Sequence, residues 1–305
     1  MHIVGIGNPV YDYIKTPEVD TKTRILSGCS TNACLAARKL EAKTTLVGCL
    51  GEDFADPFKA ALSGYDINSH TYPSPETGGF SLIYYDTLGN RTLDVLGQAS
   101  AVPDVPVDVV SAADFIIIGP ILGEVSLELV EKIRAAVKGQ VLLDPQGLLR
   151  RVNSDGRIEH YRNSDVDAVI PQCDVVKANE VEAEIITGIH PRISEDALRQ
   201  ATESLHGLGC KIAIVTLAAE GSAVYDGKTY VRVPAYAANA IDPTGAGDTY
   251  AAGFVVGYLK YGAIKEACYY GSCVASVMVE NVGPDFPLTS EEADRRWQRL
   301  MHNGR

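Results

Sequence analysis

At 305 residues, 46% hydrophobic and 22% charged, the chain can bury the core of one large α/β domain or of two smaller ones. A formal charge of −12 argues against a surface for nucleic acid, whose binders concentrate Lys and Arg. It leaves room for a small anionic ligand, which needs only a local positive site.

Along the chain, β-branched runs alternate with helical patterns. Residues 3–6, 44–47, 115–118, 141–143, 174–177 and 212–216 read as buried strands. Residues 31–40, 57–62, 126–137, 180–187 and 195–208 read as the helices between them. Strands and helices alternating in this way imply βαβ units and a mostly parallel sheet covered on both faces. Two segments break the rhythm. Residues 11–25 are polar and extended where a crossover helix is expected. Residues 79–96 read as a hairpin, with 80–85 and 92–95 flanking the turn Thr87-Leu88-Gly89-Asn90. We expect these segments to form a small separate sheet over a ligand, the alternative being an antiparallel edge of the main sheet. No repeat, low-complexity tract or linker divides the main body.

The cysteines (Cys29, Cys34, Cys49, Cys173, Cys210, Cys268 and Cys273) are scattered and form no C-x-x-C pair, which fits reduced thiols in a cytoplasm. The histidines show no metal-ligand spacing. The longest strongly apolar stretch, 115–122, is interrupted by Gly119 and Pro120, far short of a bilayer span. The first residues enter a strand-like run without a basic region and apolar signal. A cytoplasmic protein with neither membrane nor nucleic acid as a partner is expected.

The informative segment is Asp242-Pro243-Thr244-Gly245-Ala246-Gly247-Asp248, a turn followed by a helical pattern over 246–259. A helix opening with Gly-Ala-Gly-Asp presents free backbone N–H groups and a positive dipole end, both suited to a phosphoryl group. An acid in that first turn would repel such an anion. It makes sense if Asp248 takes the proton of an attacking hydroxyl. The plain alternative is dipole complementation by Asp248 and a tight turn at Gly245 and Gly247. Gly253 and Gly257, four apart, read as helix-to-strand packing positions.

The seven-residue string resembles the C-terminal signature of the ribokinase-like, or PfkB, carbohydrate kinases. The resemblance implies an α/β fold, a three-layer αβα sandwich with a mostly parallel central sheet and a small β lid. It covers residues 3–287, within a single domain spanning 1–305 whose lid comes from 11–27 and 75–97. It makes Asp248 the catalytic base and the Gly245, Ala246 and Gly247 backbone the anion hole. Val4 to Asp12 is similar to the family's opening strand, which gives Asp12 to substrate hydroxyls. Ser27-Gly28-Cys29-Ser30-Thr31-Asn32 stands where the family has a Gly-Gly substrate loop, so Gly28 and Asn32 inherit substrate contacts, although Ser27 replaces the first glycine. The string from Leu46 to Phe54 is family-like and structural.

Lys177-Ala178-Asn179-Glu180-Val181-Glu182 resembles the Asn-x-x-Glu motif, which implies that Asn179 and Glu182 order the waters of a magnesium–nucleotide complex without direct metal ligation. The alternative for Glu182 is a solvated helix face. Thr216 and Gly221, in the string 215–221, belong to the nucleotide-binding strand and turn, where the family often has glycine in place of Ala218. Asp242 and Thr244 complete the cofactor-binding set. The resemblance thus implies ATP and magnesium, and leaves open a monovalent cation such as K+. A dinucleotide fold is disfavoured because Val10 stands where the third glycine of G-x-G-x-x-G belongs, and no Walker lysine pattern occurs.

The expected reaction is phosphoryl transfer from ATP to a hydroxyl of a small sugar or polyol. The string Asp144-Pro145-Gln146-Gly147-Leu148-Leu149-Arg150 is similar to one in archaeal myo-inositol kinases, which implies that Asp144, Gln146 and Arg150 lie near phosphates or substrate; a structural turn is the alternative. A nucleoside kinase would use Tyr11, Tyr13, Phe80 and Tyr84 as a wall for the base. A phosphosugar kinase would use Arg91 or Arg24 from the lid. A silent binding homologue is a further reading, disfavoured by the intact base. The apolar row Phe80, Leu82 and Tyr84 suggests a homodimer through the lid.

Overall fold

The computed structural model describes residues 1–85 and 91–303. The turn expected at 87–90 lies outside the described residues. In chain order the first strands are β1 (His2–Ile6), β2 (Val10–Lys15), β3 (Ile25–Ser27), β4 (Lys43–Gly51), β5 (Asn68–Ser74), β6 (Gly79–Tyr84) and β7 (Arg91–Gly97). They are followed by β8 (Phe115–Ile118), β9 (Gln140–Leu143), β10 (Arg150–Val152), β11 (Ile158–His160), β12 (Val175–Asn179), β13 (Ile212–Thr216), β14 (Ser222–Tyr225) and β15 (Tyr230–Val233). The helices are α1 (Cys29–Lys39), α2 (Ala55–Gly64), α3 (Val107–Ser111), α4 (Leu127–Ala136) and α5 (Val166–Val169). After them come α6 (Glu180–Thr187), α7 (Glu195–Gly207), α8 (Ala246–Tyr261), α9 (Ile264–Val279) and α10 (Ser290–Asn303).

Nine strands form the main sheet in the order β15-β14-β13-β12-β9-β8-β1-β4-β5. Every pairing from β13 to β5 is parallel, and only β14 and β15 run antiparallel at one edge. Successive residues of the central strands feed opposite cores, as strand pleating requires. Val4, Ile6, Ile116, Ile118, Val141, Leu143 and Val215 pack with Leu129, Ile133, Ala183 and Leu205 of α4, α6 and α7. Ile3, Phe115, Ile117, Leu142 and Ile214 pack with Ala33, Ala36, Phe254 and Val274 of α1, α8 and α9. The result is a three-layer αβα sandwich.

The two segments that broke the sequence rhythm join as a separate sheet, ordered β3-β2-β6-β7, in which β2 and β6 are parallel and the other pairs antiparallel. Register decides what its faces do. Ile14 stands opposite Leu82 and Tyr13 opposite Ser81, so Tyr11 and Tyr13 lie on one face while Phe80, Leu82 and Tyr84 lie on the other. Two consequences correct expectations. The four aromatics do not form one wall; Tyr11 instead stacks on Phe54, with centroids 4.1 Å apart. The Phe80–Leu82–Tyr84 row is already covered by Val10, Ile14, Cys29 and Ile121, so it gives no reason for a partner subunit.

Gly253 and Gly257 also pack differently from expectation. A Cβ at Gly253 would stand 2.7 Å from Val274 Cβ, and one at Gly257 would stand 2.8 Å from Tyr270 Cβ. They let α8 lie against α9, not against a strand. No helix among the described residues is long and apolar enough to cross a membrane.

Candidate active site

Asn8, Asp144, Asn179 and Thr216 all stand at or just past the carboxyl ends of parallel strands, where ligand crevices form in sheets of this kind. The turn into α8 closes over that edge. Asp242 Oδ1 accepts the Thr244 N–H at 2.9 Å, and Gly245 takes the left-handed conformation (φ 78°) that a side chain would resist. A Cβ there would also stand 3.0 Å from Asn32 Nδ2. Ala246 N–H donates to the Pro243 carbonyl at 3.2 Å, whereas the amides of Gly245, Gly247 and Asp248 meet no acceptor among the described residues. Three free donors at the positive end of a 16-residue helix have the polarity that suits an anion.

Asp248 is half-buried beside them, its Oδ2 accepting from Asn32 Nδ2 at 2.9 Å. Its neighbours are charged. The Cys29 thiol and the Asp144 and Asp248 carboxylates lie within 4.8 Å of one another, and Lys177 Nζ bonds Asp144 Oδ2. Lys177 is 3% exposed, and a Cβ on Gly247 would stand 2.9 Å from its ammonium. Burial and then the Asp144 charge push the Asp248 carboxyl above the usual aspartate range, against the pull of Lys177 and the bonds from Asn32 and Cys29. Burial would lower the Lys177 ammonium, but the Asp144 and Glu182 carboxylates outweigh it and hold it above the ordinary lysine range. Lys177 already occupies the acidic cluster as its counter-cation, so Cys29, Asp144 and Asp248 are poor metal ligands.

Asn179 and Glu182 form a capping box on α6. Asn179 Oδ1 accepts the Val181 and Glu182 amides at 2.9 Å, and Glu182 accepts Asn179 N–H at 2.8 Å and Nδ2 at 2.7 Å. Glu182 is 2% exposed, so the solvated-face alternative is wrong. Burial and the Asp144 charge raise its carboxyl well above the glutamate range. Thr216 lies beside Asn179 in the β12–β13 ladder, its hydroxyl 3.5 Å from the Ala178 carbonyl. Gly221 ends the following turn with φ 87°, and Ala218 takes φ 49° in the same turn.

Gly28 (φ 117°) precedes α1, and its carbonyl accepts Asn32 N–H at 2.7 Å. Gln146 N–H donates to Asp144 Oδ1 at 3.3 Å. Asp12 is buried in the small sheet, where it accepts Phe80 N–H at 2.8 Å; burial pushes its carboxyl up to about 6. Thr244 hydroxyl donates to Tyr84 OH at 2.9 Å, and Thr16 to the Ile241 carbonyl at 3.1 Å, so the small sheet is tied to the α8 turn. Between them lies a narrow crevice lined by Ser27, Asn32, Asp242 and Thr244 with Ile14 and Met278.

Sequence reasoning named no role for Lys177. The signal was there: a lysine inside the apolar run Val175-Val176-Lys177-Ala178 must be buried, and a buried cation requires an acid.

A doubly wound sheet, with a helix N-terminus and a half-buried aspartate at its carboxyl edge, points to an α/β phosphotransferase for small molecules as a class. The comparisons carry this further. The profile of the pfkB family carbohydrate kinases matches residues 6–291, and the chain belongs to that family. It is 28% identical over 316 residues to a nucleoside kinase of Methanothermobacter thermautotrophicus, covering 96% of this chain and 94% of that one. It is 26% identical over 310 residues to an inositol 3-kinase of Arabidopsis thaliana, covering 96% and 80%. A pyrophosphate-dependent kinase of the ribokinase family, solved with a pyrophosphate analog and myo-inositol, superposes with a TM-score of 0.79 at 21% identity, covering 96% and 99%. The ribokinase-like fold and the kinase class follow.

Proposed function

We propose that this chain is an ATP-dependent kinase for a hydroxyl of a small sugar or polyol, acting as one domain with 11–27 and 75–97 as its lid. One observation carries the reading: the half-buried Asp248 carboxylate, fixed by Asn32, next to three α8 amides without acceptors among the described residues. Asp248 takes the proton of the acceptor hydroxyl, and its raised proton affinity suits a base working near neutral pH. The Gly245, Gly247 and Asp248 amides meet the charge that grows on the transferred phosphoryl group, with Lys177 behind them. The small sheet excludes water.

Magnesium–nucleotide, when bound, supplies the phosphoryl group and neutralises its phosphates. The residues present fit it: the free amides suit the phosphates, and each Glu182 oxygen keeps lone pairs beyond its capping bonds for ordered water. Asp242 Oδ2 is buried without a partner, which suits a monovalent cation such as K+. The seven unpaired, buried cysteines support a cytoplasmic setting.

The polar side chains of Ser27, Asn32, Asp242 and Thr244 around the crevice between the small sheet and the α8 turn suit a polyol. A nucleoside is the second reading, favoured by the M. thermautotrophicus relative. A coupled ADP-release assay with magnesium-ATP against ribose, fructose, myo-inositol, adenosine and cytidine separates the two. Asp248→Asn is expected to keep the wild-type unfolding midpoint and lose about 10²- to 10⁴-fold in turnover. Near-normal turnover would refute the assignment.

A further inference from the structure

The loop between α6 and α7 brings Arg192 to the carboxyl ends of two neighbouring strands. Its Nε and Nη2 share Glu180 Oε1, at 3.2 and 2.8 Å. Glu180 is the first residue of α6, directly after the capping residue Asn179 at the end of β12. Nη2 also donates to the Leu217 carbonyl at 3.2 Å, and Nη1 bonds the Glu220 carboxylate. Leu217 and Glu220 belong to the turn that follows β13. One guanidinium therefore joins the exit of β12 to the exit of β13, using a fork of donors that a point charge does not reproduce.

That turn needs to be held. Ala218 takes φ 49° and Gly221 φ 87°, and a Cβ on Gly221 would stand 2.1 Å from the Val233 carbonyl oxygen. A left-handed alanine persists only where its surroundings over-determine it. Inside the turn Leu217 N–H donates to the Gly221 carbonyl at 2.8 Å, and Glu220 N–H donates to the Leu217 carbonyl at 3.0 Å. Arg232, on β15, adds a bond from Nη2 to the Glu220 carbonyl at 3.3 Å. The turn also abuts the helix whose first amides suit an anion. Ser222, the next residue, is buried and shares a 2.8 Å hydrogen bond with the hydroxyl of Tyr250 on α8, two residues past Asp248.

We infer that Arg192 is a positioning residue for the nucleotide donor: without touching it, Arg192 sets the 217–221 turn against the Asn179–Glu182 corner, an assignment to the donor that rests on the kinase reading above. The side chain is half-buried, so Arg192→Gln is expected to fold with a near wild-type unfolding midpoint. In the unliganded variant, hydrogen exchange read by mass spectrometry quickens over 217–221 and keeps wild-type rates elsewhere. Titration calorimetry finds ADP bound about 3- to 10-fold more weakly, the net worth of one or two hydrogen bonds at a partly exposed site. In the ADP-release assay the KM for ATP rises by the same factor, with kcat and the acceptor KM unchanged. Arg192→Lys restores little of this, because one ammonium does not reach all three acceptors. A merely structural role lowers the active fraction and moves neither KM. That result, unchanged exchange, equal rises in both KM values, full rescue by Lys, or no binding of ADP to the wild type overturns the inference. The two proposals fail separately. Arg192-dependent ADP binding in a chain that phosphorylates no acceptor leaves the inference standing and removes the kinase reading, and normal turnover with Arg192-independent ADP binding does the reverse.

Discussion

Lys177→Met should be among the most damaging single changes in the molecule. The Lys177 and Asp144 side chains are 4% and 2% exposed, so the pair is screened by almost no water. Removing the ammonium strands Asp144 within 4.8 Å of Asp248 and close to Glu182, three acids with one cation gone. Breaking a buried pair from one side costs about 3–5 kcal/mol, a large part of the ~5–15 kcal/mol that holds a domain folded. Urea unfolding followed by far-UV circular dichroism reads that loss as a lower midpoint at unchanged slope. Adding Asp144→Asn removes the stranded charge, so the double variant is expected to recover more than half of the lost stability while remaining inactive. A single-variant loss below about 1 kcal/mol, or strictly additive effects of the two changes, would refute the reasoning, because either result means that water already screens the pair.

The acid limb of the rate–pH profile should lie above the ordinary aspartate range, set by Asp248. Because Asp144 raises that carboxyl, Asp144→Asn should move the limb to lower pH, as read from kcat/KM between pH 4 and 8. Ala218→Gly should stabilise by about 0.5–1 kcal/mol, since alanine at φ 49° bears a left-handed cost that glycine escapes apart from its unfolded-state entropy; a lower melting midpoint would contradict this. Asp12 has its carboxyl raised to about 6 by burial, so the folded chain holds that proton more tightly than the unfolded one. Stability from this group is therefore present below about pH 4 and lost as pH rises through 6. Asp12→Asn should gain up to about 3 kcal/mol over wild type at pH 7.5 and nothing at pH 4, with acceptor binding weakened; equal gains at both pH values would exclude the burial cause.

The parallel core was legible because its strands are short, unbroken apolar runs whose helices carry the 3.6-residue period. Polar edges were not. Strand β5 reads Asn68-Ser69-His70-Thr71-Tyr72-Pro73-Ser74 and pairs on one side only, so neither hydrophobicity nor period marks it. The β14–β15 hairpin did carry a signal, Asp226-Gly227 between alternating residues, which went unread. Helix α8 was legible at its start, where Gly245, Gly247 and Asp248 are local chemistry. The Lys177–Asp144 pair was not, because 33 residues separate partners that only the sheet order brings together.

Departures from ordinary burial rules gather at one edge of the sheet. Lys177 and Arg150 are cations under cover, Asp12, Glu182 and Asp248 hold their protons more tightly than exposed acids do, and the α8 amides lack acceptors. A fold without a ligand for that edge would be more stable with apolar residues there. Around Asp144 negative charge exceeds its single lysine, and together with burial it raises the proton affinity of Asp248, which suits that carboxylate to take a proton from a hydroxyl.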